Sequence, residues 1–388
     1  PLQGNAMTFR IFRNEFSTTT PASVVFKVAQ PSSNTVYDTL NLKVGDLVIP
    51  GTSITYQFNS LSNTTAALVG YKSITPLDAY NMNDGAGRRL ITSTANYARD
   101  VASPYYPAGY TPTSANADSF NIATSNSFIA QAVMSTTDSA ISPIIDTTNF
   151  NIFLRENIIN NLPLSNSGFT IINGGAGYSS GTVGVTISPS TANGATAEAT
   201  ATVTSGVITA ITLKNGYSGS LYLTSPTITV TGANTTMANV SYNGEDKKSG
   251  GNADARYISR KVVLADGFDS GDLRLYMTAY KPSSGNIFVY YKIVSDSDPD
   301  LFDDKNYQTM TQIDNNVSYV SKDPNDYREF TFAPGVNYVA NNSVSYVSGT
   351  TTYRTFRTFA IKIVMTGTDP TDVPKIRDMR TIAIPEAL

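Results

Sequence analysis

The sequence predicts an all-β chain, and three observations predict it. Thr, Ser, Asn, Gly and Tyr are plentiful while Lys, Glu and Leu are sparse, a balance that suits pleated strands and tight turns better than helices. Short apolar runs alternate with polar residues at a period of two, the spacing of half-buried strands. Gly- and Pro-bearing clusters punctuate those runs. The finer expectation is a jelly-roll-like β-sandwich at the C-terminus, a small repeat-containing β module in the middle and an irregular β-rich region at the N-terminus. A length of 388 residues suffices for two or three such cores.

The N-terminal region, 1–165, offers "TFRIFRNEF", "ASVVFKVAQ" and "SITYQFNS" as short strands. Residues 76–127 are turn-rich with few apolar runs, and "LITSTANYARD" (90–100) reads as a short helix or none. Long irregular segments of this kind often carry assembly contacts.

The middle module, 166–236, is announced by "NGGAGYSSGTVGVTIS" at 173–188 and echoed by "NGYSGSLYLTSPTITVTG" at 215–232. Each copy runs Gly-Tyr, then Ser and Gly, then a β-branched strand. The pairs Gly177-Tyr178 and Gly216-Tyr217 stand 39 residues apart. Between them Ala195, Ala197, Ala199, Ala201 and Val203 alternate with polar residues, and Ser205-Gly206 supplies a hairpin turn. The glycines do not form a dinucleotide fingerprint. Gly181 falls one residue late after Gly175-x-Gly177, and a strand follows where a helix is required. A P-loop would need Gly-Lys-Ser/Thr, which is absent. These glycines make corners.

Residues 237–255, containing "NGEDKKSGGNADA", read as a polar linker. The sandwich then fills 256–388. "YISRKVVLA" is expected to place Ile258, Arg260, Val262 and Leu264 on one face. Leu273, Leu275, Met277 and Ala279 share a face of the next run, and "KPSSGN" turns it back. Ile287, Val289, Tyr291 and Ile293 answer, and Phe359, Ile361, Ile363 and Met365 align further on.

The chain has no Cys, His or Trp. That excludes disulfides and thiol chemistry, the usual zinc ligands and the commonest general base. No cofactor is expected. A net charge of −3 gives no drive towards nucleic acid or anionic membranes, and no apolar run is long enough for a membrane span. The chain opens on Pro1, so a trimmed N-terminus is expected.

Three groups remain as candidate chemistry. Asp296, Asp298 and Asp300 in "SDSDPDLFDDKN" alternate as calcium ligands would, but Leu301 and Tyr307 stand where an EF-hand needs Gly and Glu. The preferred reading is a capped turn, with the metal site second. Asp266, Asp269 and Asp272 invite comparison with paired glycosidase acids, although nothing fixes their separation. Among 23 tyrosines, Tyr105-Tyr106 with Tyr110, and Tyr290-Tyr291, suit interfaces or sugar stacking. Arg88-Arg89 is too short for a nucleic-acid patch.

Two stretches together resemble virion structural proteins of contractile-tailed bacteriophages, of the baseplate and tail-fibre type. One is "STTDSAISPIIDTTNFNIFLRENIINN" (135–161). The other runs from "ARYISRKVVLADGFDSGDLRLYMTAYKPSSGNIFVYYKI" through "DPDLFDDKNY" to "FAIKIVMTGTDPTDVPKIRDMRTIAI". The resemblance implies a structural, non-enzymatic role in the virion tail or baseplate, with assembly in the host cytoplasm. It also implies partners among other virion proteins and a homo-oligomer. It brings no catalytic motif. The alternatives are a receptor-binding adhesin that contacts host-surface carbohydrate, and a carboxylate-based glycan depolymerase.

Overall fold

A computed structural model of the chain describes residues 14–26, 39–61, 71–74, 79–83, 89–93, 127–155, 157–190, 192–321, 326–335, 344–370 and 372–385. The protein is all-β, and it divides into two compact units, 1–157 and 158–388. The candidate strand at 8–16 lies largely outside the described residues, as do Tyr105, Tyr106, Tyr110 and Arg88.

The first unit is built from β1 (Ala22–Val25), β2 (Thr39–Leu47), β3 (Thr52–Leu61), β4 (Lys72–Ile74), β5 (Ala79–Asn83), β6 (Arg89–Ser93), β7 (Ser127–Thr136) and β8 (Ile144–Arg155). They form two four-stranded sheets, ordered β1-β7-β3-β4 and β5-β6-β2-β8. Tyr56 of β3 ties them together. Its buried hydroxyl donates to Asp46 of β2 at 2.5 Å, and Phe26 stacks on Phe150 beside it. The "LITS" of the candidate helix is the strand β6. Its β-branched residues favour a pleated pairing with β5 and β2.

The second unit begins with the module, whose strands are β9 (Phe169–Asn173), β10 (Gly184–Ile187), β11 (Ala199–Thr204), β12 (Val207–Leu213), β13 (Ile228–Thr231) and β14 (Asn239–Tyr242). They pair as three antiparallel ribbons: β9 with β14, β10 with β13, and β11 with β12. The β11–β12 turn is Ser205-Gly206, both left-handed at φ 52° and 80°, as a two-residue hairpin requires. Ala197 and Ala199 are buried with Ile187, Ile208, Ile211 and Val230, so the alternating alanines do line the core.

The module is a duplication, but not in the register that the Gly-Tyr pairs suggest. The Ile208 amide donates to the Gly174 carbonyl, and the Leu164 amide donates to Ser218. Tyr178 donates to Gly206, and Tyr222 to Leu162. Ala176 donates to Thr236, and Ser220 to Ala195. In each couple the donors stand 44 positions apart. The left-handed residues match as well: Gly175 with Gly219, Gly177 with Leu221, Gly206 with Leu162. Buried Tyr178 accepts the Ala238 amide on its hydroxyl at 2.8 Å. Buried Tyr222 accepts the Ala197 amide at the same distance. Tyr178 therefore corresponds to Tyr222, while Tyr217 is half exposed. The first copy has a 3-10 turn at Asn166–Gly168 before β9, and the second has the extra "KNGY" (214–217) after β12. These insertions offset one another and misalign the copies by eye.

The sandwich follows, with β15 (Ala255–Ile258), β16 (Val262–Val263), β17 (Ser270–Tyr280), β18 (Gly285–Val294), β19 (Gln308–Gln312), β20 (Arg328–Pro334), β21 (Tyr346–Ser348), β22 (Thr351–Tyr353), β23 (Thr358–Gly367) and β24 (Lys375–Pro385). One eight-stranded sheet runs β15-β23-β18-β19-β20-β17-β24, with β16 also on β23. The pairs β17–β20 and β18–β23 skip sequence neighbours, in the manner of a Greek key. The sheet curls about β19. Leu273, Leu275, Met277 and Ala279 of one half thereby bury against Ile287, Val289, Tyr291, Ile293, Ile361 and Ile363 of the other. The run 257–265 departs from expectation. It breaks between β15 and β16, and Ile258 sits opposite Lys362 whereas Val262 sits opposite core-facing Phe359. The break resets the alternation, so those two residues do not share a face.

Candidate functional site

The three aspartates weighed as calcium ligands do not converge. Lys305 stands between two of them, its ammonium 2.6 Å from Asp298 and 2.9 Å from Asp300. Asp296 turns away to Arg357 at 3.0 Å. Asp298 caps its own turn by accepting the Asp300 amide at 3.0 Å, and the Ser348 hydroxyl lies 2.7 Å from Asp300. A lysine thus occupies the place a cation would take. It pins the loop after β18 to the β21–β22 hairpin. Among the described residues, no group of three or more acids is placed to hold a metal ion.

Burial opposes ionisation of Asp298, but Lys305, the Asp300 amide, Tyr346 and Ser348 outweigh it and hold the carboxyl at about 2. Because this value lies below the ordinary 3.8, the stabilisation is fully present above the unfolded value and is lost as pH falls through the folded one. A contribution on the order of 2 kcal/mol follows from a shift of that size. Thermal melts between pH 5 and pH 2 will therefore show a steeper loss for the wild type than for Asp298→Asn; parallel curves would refute the assignment.

The second acidic group is dispersed too. Exposed Asp266 pairs with Arg357, Asp269 is exposed, and buried Asp272 accepts the Leu273 amide at 2.7 Å. They are held by separate partners and do not face one another across a cleft. Tyr290 and Tyr291, the other sugar-stacking candidates, are buried at 0% and 3% exposure. Tyr291 donates to Gln308, and burial pushes its phenol up to about 12.

What the structure does build is a joint and an opening. The joint lies where the module covers the outer face of β18 and β23. Leu162, Ala253, Tyr290, Tyr307 and Val364 pack together there, with Leu223 and Phe288 at the margin. The Tyr290 hydroxyl donates to the Leu223 carbonyl at 2.9 Å. At the centre Lys362 meets Glu245 at 2.6 Å, both side chains fully buried. All three ammonium protons have acceptors: the Glu245 carboxylate, the Glu245 carbonyl and the Gly250 carbonyl. The other carboxylate oxygen accepts the Asn252 and Ala253 amides. Tyr290 presents its ring 4.9 Å from the ammonium. Burial pushes the Lys362 pKa down, against the pull of Glu245. The segment 237–255, expected as a linker, instead carries β14 and this anchored turn. Its polar composition hides an ion pair that is satisfied only by long-range contacts.

The opening lies between the two ends of the curled sheet. The terminal strands β15 and β24 line one groove of about 540 Å³, with Tyr257, Ile363 and Met365 on one wall and Pro374, Ile376 and Met379 on the other. Arg377, Asp378 and Lys375 stand along its rim. Apolar side chains are exposed along both edges: Tyr257, Ile258, Val262, Val263 and Ile382. The sheet is not closed here, so these edges keep unpaired backbone groups, the usual template for adding a strand. Neither the joint nor the opening has a local sequence signature. The excess of apolar residues on the first edge, "RYISRKVV", was the available hint.

No family model, no curated protein and no solved structure matches this chain. Among the described residues, no helix is long and apolar enough to cross a membrane.

Proposed function

We propose that this protein is a non-enzymatic structural component of a phage tail or baseplate, of the tail-fibre type, that works through subunit contacts. The observation that supports it most is the pair of free sheet edges bearing exposed apolar side chains, since soluble monomers usually blunt or cover such edges. The acids that might have served a depolymerase are engaged as turn caps and ion pairs with Lys305 and Arg357, which favours a scaffold over a hydrolase. The buried joint holds the module and sandwich in one fixed arrangement, a property suited to a load-bearing part. Its partners are other virion proteins and further copies of itself, and its place is the virion, assembled in the host cytoplasm.

Gold-conjugated antibody raised against the chain, applied to tailed-phage particles from a lysate that expresses it, tests the reading. Label at the tail end or baseplate is the expected result. Label on distal fibre tips alone would favour the adhesin, and intact particles without label would remove the virion role.

A further inference from the structure

The groove between β15 and β24 has a chemistry of its own. Its two walls belong to opposite layers of the sandwich, and each ends in a strand with one side unpaired. A single extended segment laid between them would hydrogen-bond along an edge and turn its inward side chains towards Ile363, Met365, Ile376 and Met379. That segment would close the open sheet towards a barrel, the arrangement that abolishes edges altogether. An extended peptide satisfies backbone and side chains at once because its side chains alternate between the two faces.

The rim specifies the charge of the occupant. Residues 255–263 hold Arg256, Arg260 and Lys261 and no acid. Residues 375–385 hold Lys375, Arg377 and Arg380 against the single Asp378. The chain as a whole carries a net charge of −3, so the two free edges are basic in an acidic protein. Such local contrast selects partners by sign and speeds their approach. Strands of this chain are poor in acids themselves, which argues against a second copy as the occupant.

We propose that this groove accepts an extended segment of a neighbouring protein, alternately apolar and acidic, which adds as a strand between β15 and β24. The inference rests on the subunit-contact reading above and specifies the partner's chemistry.

Fluorescence polarisation with the full chain tests it, using two labelled synthetic peptides of about ten residues that would each extend across the groove. One alternates Val with Glu and Thr; the other has Lys at every Glu position. The Glu peptide binds at least about tenfold more tightly than the Lys peptide at low salt, and the preference shrinks as salt rises. Arg377→Glu, an exposed change on the rim, narrows the preference while circular dichroism stays unchanged. Equal binding of both peptides would overturn the charge assignment, and binding of neither would overturn the strand-acceptor role. Sedimentation showing a dimer that the Glu peptide does not dissociate would give the groove to a second copy instead. Gold label on tails together with any of these failures would reject this inference and leave the virion role standing.

Discussion

Replacing Lys362 by methionine destabilises the second unit by about 3–5 kcal/mol, the range for removing one partner of a buried ion pair. The reason lies in what stays behind. Glu245 is fully enclosed, and without the ammonium its carboxylate keeps only the Asn252 and Ala253 amides on one oxygen. The Gly250 carbonyl also loses its donor. Burying a charge in that state costs far more than losing a surface contact. The double variant Lys362→Met, Glu245→Gln recovers part of the loss, because a neutral amide can still accept the two backbone amides through its oxygen. Urea unfolding followed by tyrosine emission measures both, the chain having no Trp. A loss below about 1 kcal/mol for the single variant would show that the pair contributes little to the joint. The transition of the single variant is also expected to broaden or divide, as the module and sandwich unfold apart.

The second large effect belongs to the duplicated corner. Alanine at Gly175 places a Cβ 2.4 Å from the Thr236 carbonyl and 2.8 Å from the Ala238 amide. At Gly219 it falls 2.7 Å from the Ala195 carbonyl and 2.9 Å from the Ala197 amide. Both residues have left-handed φ, at 65° and 68°, which alone costs an L-residue about 1–2 kcal/mol. Backbone on the opposite side must then retreat, and with it the amide bonded to Tyr178 or Tyr222. A total of about 3 kcal/mol or more is expected for either variant, near the upper end for single substitutions. Gly181 and Gly216 provide controls. Both also have positive φ, but an added Cβ meets open space, so alanine there costs only the backbone preference. Denaturant midpoints of the four variants decide the matter. Equal losses at all four would mean that the corners are not tightly packed.

The sandwich was legible because period two survives along β17, where Leu273, Leu275, Met277 and Ala279 alternate with polar residues and bury together. In β18 the pattern was less transparent. Its second face lies under the module, so Tyr290 and Lys292 are buried as well, and the tyrosines that resembled a sugar platform are core. The duplication was visible in Gly, Tyr and Ser, yet its register was not. Gly175-x-x-Tyr178 and Gly219-x-x-Tyr222 match through backbone conformation, and Leu221 takes a left-handed angle that composition does not announce. Glu245 sat unremarked within "NGEDKK", since nothing local marks an acid whose partner lies 117 residues away. The aspartates at 296–300 failed as a metal set for a related reason: Lys305, counted in the same acidic stretch, folds back among them.

The two copies in the module trade strands. The first strand of one copy pairs with the last strand of the other at both ends, and the middle strands pair with each other. This is the connectivity of a domain-swapped dimer fused into a single polypeptide. A chain carrying one copy would have no partner for any of its three strands except a second such chain, so half of the module, expressed alone, should appear in solution as an intertwined pair or not fold at all. Within the full protein the same exchange means that neither copy can peel away while the other stays formed. Tension applied along the chain meets both at once, and the module yields as a single cooperative element.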